Sequence, residues 1–303
     1  MGSAAAIVVG VVVGACGSAG RAPELPELAK PVEDATFLER TAMLRATLAR
    51  NAIELDTEPV IETCSYPDEK RNCMRCDLAT GMDGVDPEML DRVAIAVAGY
   101  PEAVLAAAEV KRLALCRRIR YINSDDGPGG VAQLEHHRLM VSVESFMTED
   151  ARSWAIEQIV HHEIFHLFDY AKLSNSLMHS DPDWGELKPP GFEYTDPAVM
   201  TVRPNGFVNV YATTDEAEDR ASTYEYLMTR ADELCELATA DPILEAKVTV
   251  VWRRVAEVRG GEAFLRKHAA CVDWVNPKKK AKRPGKPKPG RPQPVDLRIR
   301  PRN

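Results

Sequence analysis

Residues 162–166 read His-Glu-Ile-Phe-His, inside the run Glu157-Gln-Ile-Val-His-His-Glu-Ile-Phe-His-Leu-Phe-Asp-Tyr170. On a helix, positions i and i+4 lie on one face, one turn apart. His162 and His166 can therefore aim imidazole nitrogens at one metal ion. Glu163, one residue round the helix, can reach a water beside that ion. The chemistry this set supports is hydrolysis, in which a metal polarises water and a carboxylate takes its proton.

Two histidines do not complete such a site. Zinc in hydrolases takes three protein ligands and keeps a fourth position open. An extension of the motif to HExxHxxGxxH is absent, because Asp169 stands at the glycine position and Lys172 at the last histidine. A later glutamate must then serve. The stretch Tyr211–Met228 places Glu218, Ser222 and Glu225 on one helical face. Glu218 and Glu225 are about 10 Å apart at the helical rise, so only one of them can be the ligand. Asp169 shares the face of His166 and could accept the second N–H of a metal-bound histidine. His161 points away from the metal on a regular helix. His136 and His137 read as solvated or cross-strand groups.

The elements that must hold these residues follow. Thr148 is a candidate N-cap, Glu149 and Asp150 suit the first turn, and Ala155, Ile159, His162 and His166 form one stripe. This predicts a long buried helix over about 149–172. Thr214 is a candidate N-cap for a second helix running to about Leu237.

At this point the chain resembles the gluzincin-type zinc metallopeptidases, and most closely the bacterial zinc-binding metallopeptidase lipoproteins. It is similar at longer range to the catalytic domain of anthrax lethal factor. The resemblance covers about residues 85–240. It is carried by HHEIFHLFDY (161–170), DPDWGELKPPGFEY (181–194) and GFVNVYATTDEAEDRA (206–221). It implies Zn2+ on His162, His166 and Glu218, with Glu163 as general base and Tyr211 as a donor to the oxyanion. It also implies an α+β fold: a mainly helical zincin-like domain with a small mixed sheet beside the active-site helix. In such a fold the strand beside the cleft pairs with an extended peptide, and here that would be 137–146. The expected partner is a peptide or protein substrate. Two other readings are a non-catalytic envelope lipoprotein that retains a zinc site, and a hydrolase of cell-wall peptides.

Composition bounds the rest. At 303 residues and 45% hydrophobic content, one sizeable domain with tails is expected. The net charge of −8 is split. Residues 276–303 hold 11 Lys/Arg and one acid, a net of +10, so the remainder sums to about −18. An acidic body gives no footing for a nucleic-acid reader. The first 16 residues carry an apolar run too short to span a bilayer, ending Val13-Gly-Ala-Cys16, which suits a signal segment with a lipobox. Cys16 would then carry the lipid, with export and anchoring to the bacterial cell envelope. Six cysteines remain, and in an exported protein they suggest disulfides.

Along the chain, 17–35 is a linker and 36–84 an N-terminal helix with a Cys-rich insert. Residues 85–275 form the catalytic domain, and 276–303 a disordered basic tail suited to anionic envelope polymers. Asp86 can cap a helix of about 87–98, and Pro101 can start one of about 101–114. Arg117–Asn123 suits a strand, Ser124–Gly130 a turn and 137–146 a second strand. Residues 173–210 form a long connection. Helices at about 215–237 and 241–269 close the domain, with Trp252 and Phe264 in the core.

Overall fold

The computed structural model describes residues 37–56, 60–64, 73–82, 84–121, 127–144, 149–173, 181–195, 200, 202–269 and 272. The expected signal segment with Cys16, the expected 17–35 linker, the candidate Thr148 cap and residues 276–303 lie outside the described residues. The chain is α+β, with helices outweighing one mixed sheet.

The sheet contains β1 (Glu54–Leu55), β2 (Val60–Cys64), β3 (Cys73–Leu78), β4 (Arg112–Tyr121), β5 (Gly130–Gln133) and β6 (Arg138–Ser142). Its order is β2-β3-β4-β6-β5, with β1 pairing parallel to the start of β4. The β4–β6 pair is parallel, and β5–β6 and β3–β4 are antiparallel. The Cys-rich segment is thus part of the sheet. A disulfide joins Cys76 on β3 to Cys116 on β4, and both are buried in a cluster with Met74, Ala114, Ile119, Val131 and Met140. Cys235 is disulfide-bonded as well.

One expectation about the sheet is corrected. The strand near 137–146 is β6, and it lies between β4 and β5 with both edges paired. Among the described residues the sheet ends at β2 and β5, and β5, which packs on α4, lies within and just beyond a stretch that reads in sequence as a turn. β5 lacks any alternation because all four of its residues are buried. Gly130 admits it there. A Cβ on Gly130 would sit 2.4 Å from Cγ2 of Ile159 and 2.9 Å from Cγ of Glu163, so only glycine lets this backbone approach so close to the motif helix.

Nine helices occur among the described residues. α1 (Phe37–Arg50) packs on α2 (Pro87–Ala98), which begins at an Asp86 cap and a first-turn proline. α3 is short, Glu102–Ala107, because Glu109 turns the chain at φ 51° into β4. α4 (Glu149–Leu173) is the motif helix, and α5 (Pro182–Gly185) interrupts the long connection. α6 (Glu216–Thr229) is capped by Asp215, whose side chain accepts from the Glu218 amide. The Thr214 hydroxyl bonds instead to the Tyr211 carbonyl, so the expected cap is one residue early. The run predicted to Leu237 breaks at Arg230 (φ −138°, ψ 43°), and α7 (Ala231–Ala240) follows. The segment expected at 241–269 is α8 (Pro242–Ala256) and α9 (Gly261–His268), separated by Gly260 at φ 80°. Trp252 and Phe264 are buried, as expected.

α4 and α6 pack closely on one another. Every residue of α4 from Ile156 to Asp169, and every residue of α6, is buried. A helix buried all round normally reads as apolar all round. These two instead carry His, Glu, Asp, Arg and Ser inside, and such groups need partners. The site is built where they find them.

Candidate metal centre

His162 and His166 lie one turn apart on α4, and Glu218 reaches them from the first turn of α6. Nε2 of His162 is 3.0 Å from Nε2 of His166 and 3.0 Å from Oε2 of Glu218, and Nε2 of His166 is 3.7 Å from the same oxygen. His162 and His166 are fully buried and Glu218 nearly so. Ligand atoms about 2.0–2.2 Å from a tetrahedral zinc stand roughly 3.3 Å apart, and these three separations bracket that spacing. Among the described residues, this is the cluster of three or more His, Cys, Asp or Glu residues placed to hold a metal.

The charge balance points the same way. Glu163, Glu218 and Glu225 are all buried, and among the described residues none of them pairs with Lys or Arg. Both oxygens of Glu163 lack a hydrogen-bond partner. Burial pushes the Glu163 pKa up to about 8, against the pull of the neighbouring His162. Burial also penalises charge on Glu218, but His166 and His162 hold it down at about 2. For His162, burial opposes charge, yet the bonds to Glu218 and Glu225 keep its pKa well above the ordinary value. Three buried carboxylates around two imidazoles make a pocket that favours a cation. The residues present therefore fit a divalent metal.

Tyr211 sits in a short 3-10 turn, Tyr211–Thr213, just before α6. Its ring centroid is 6.0 Å from that of His162, and its hydroxyl donates to Glu218. Burial, then Glu218, push its pKa well up, so it remains a donor. The structure thus brings Glu163, Tyr211, His162, His166 and Glu218 together.

Asp169 lies elsewhere. Its Oδ2 accepts from Nε of Arg220, and Arg254 stands 3.6 Å from its Oδ1, while Nδ1 of His166 has no hydrogen-bond partner. Nδ1 of His162 lies 2.9 Å from Oε2 of Glu225, two turns along α6. His161 faces away from the ligands, with Nδ1 2.6 Å from the hydroxyl of Tyr100, and burial lowers its pKa well below the ordinary value. His137 contacts Glu109 and the ring of Tyr170.

Residues flanking Glu218 bind it to its surroundings, a network that sequence alone does not reveal. Asp219 accepts from Lys247 on α8, from Nε1 of Trp184 at 2.9 Å and from the hydroxyl of Tyr194 at 3.0 Å. Lys247 and Asp219 are fully buried, and the Lys247 ammonium lies 3.9 Å from the ring centroid of Phe207. Arg220 approaches Asp169, Asp181 and Glu216. The long connection is thus fastened to the helix that carries the third candidate ligand. The sequence signal was the cluster of acids and Arg220 around Glu218; its partners are set by the tertiary fold.

No protein-family model matches the chain, and no curated protein does. A solved structure described as a "putative zinc-binding metallo-peptidase" from Bacteroides caccae ATCC 43185 superposes with a TM-score of 0.46 at 16% identity, over 80% of this chain and 95% of that one. At this similarity the likeness bears no functional weight.

Proposed function

We propose that the protein is a zinc-dependent metallopeptidase of gluzincin type with a zincin-like fold, holding Zn2+ on His162, His166 and Glu218. The observation that carries this reading is the buried His-His-Glu cluster with an unpartnered Glu163 beside it. When bound, the metal supplies Lewis acidity and lowers the pKa of water toward about 7. Glu163 is placed to take a proton from the attacking water and return it to the leaving amine. Tyr211 is placed to donate its O–H to the carbonyl oxygen as charge develops there. β5, the end strand alongside α4, is the strand able to pair with an extended peptide.

Export and lipid anchoring at Cys16 belong to the same proposal, and the Cys76–Cys116 disulfide supports an oxidising compartment. The basic tail would then meet anionic envelope polymers. The test of activity is digestion of a peptide library by the purified, zinc-loaded protein. Cleavage should stop with a chelator and return with zinc. A zinc-loaded protein that cleaves nothing in the library would leave a binding protein instead. Tyr211→Phe should keep its metal and lower kcat more than it raises KM, the pattern of an interaction made in the transition state. An unchanged kcat would reduce Tyr211 to a packing role.

A further inference from the structure

We infer that Glu225 is the positioning residue that orients His162 for metal binding, an inference that rests on the metal-site reading above. A neutral imidazole has one lone pair. If Nε2 of His162 is to face His166 and Glu218, the ring proton must sit on Nδ1, and a buried N–H needs an acceptor. Oε2 of Glu225 is 2.9 Å from that nitrogen, with His162 fully buried and Glu225 nearly so. Glu225 follows Glu218 by seven residues, almost two full turns, so both carboxylates face α4 and His162 spans the distance between them. One carboxylate meets Nε2 and the other meets Nδ1.

The other candidates for this role are engaged elsewhere or do not reach. Asp169 is turned toward Arg220 and Arg254. Ser222, on the same face between the two glutamates, makes no side-chain hydrogen bond although buried. The Glu225 carboxylate has His162 as its ion-pair partner among the described residues. A carboxylate taken out of water needs such a bond to offset its lost hydration. His166, whose Nδ1 has no hydrogen-bond partner, lacks the equivalent support, so ordering of the ligand set falls on the Glu225–His162 pair.

The test measures zinc affinity by chelator competition in the full chain, for wild type, Glu225→Met and Glu225→Gln. Methionine keeps the volume and removes the acceptor, whereas glutamine keeps a carbonyl that can still accept from Nδ1–H. Met is expected to weaken zinc binding about 10–100-fold and Gln by much less. Nitrogen NMR of the zinc-loaded wild type should show His162 protonated at Nδ1. A Met variant with wild-type affinity would overturn the inference, as would a His162 protonated at Nε2. If the Met variant does not fold, the tautomer in the wild type decides alone. A wild type that binds no zinc would sink the metal-site reading itself, which is a separate failure.

Discussion

Glu163→Gln should retain zinc and lose about 10²–10⁴-fold of peptidase activity, the contribution of a positioned proton-transfer group. Glutamine has nearly the same shape, so the α4 backbone and the three candidate ligands stay in place. It cannot accept and return a proton. Because the Glu163 oxygens have no hydrogen-bond partner that a glutamine could not keep, the near-isosteric substitution preserves the packing there and relieves a buried carboxylate. Stability should therefore hold or rise while activity falls. The check is kcat/KM beside metal content and melting temperature. Activity within a few-fold of wild type would remove Glu163 from the mechanism.

Lys247→Met should produce the largest loss of stability. Lys247 and Asp219 are fully buried, and removing the cation strands a carboxylate whose other side-chain donors among the described residues are Trp184 and Tyr194. Breaking a buried pair in this way costs about 3–5 kcal/mol. For a domain of this size that is a fall in melting temperature of roughly 10 °C. Adding Asp219→Asn should recover much of the loss, since asparagine can still accept from Trp184 and Tyr194 without the stranded charge. Thermal unfolding of the single and double variants checks this. A double variant no better than the single one would show that lost packing against Phe207 dominates.

The two candidate histidine ligands were legible in the sequence because their spacing is local. A helix alone fixes the relation of His162 to Glu163 and His166. Glu218 came from the resemblance, since two glutamates share its helical face and periodicity cannot choose between them. What escaped depends on how elements meet. The contacts of Glu225 and Asp169 turn on the crossing of α4 with α6, which gives His162 to Glu225 and Asp169 to Arg220. β5 escaped for a different reason. Four residues buried on both faces leave no alternating pattern, and the glycines that allow its close approach to Ile159 also read as a turn. The breaks at Arg230 and near Gly260 were hidden inside continuous helical composition, although Gly260 itself was a local signal for the second.

Zinc stoichiometry after exhaustive dialysis tests the central claim most directly, in wild type and in Glu218→Ala. The buried His162, His166 and Glu218 cluster predicts one tightly held zinc per chain, lost when Glu218 is truncated. A wild type without zinc, or a Glu218→Ala protein that holds it as firmly as wild type, would contradict the account.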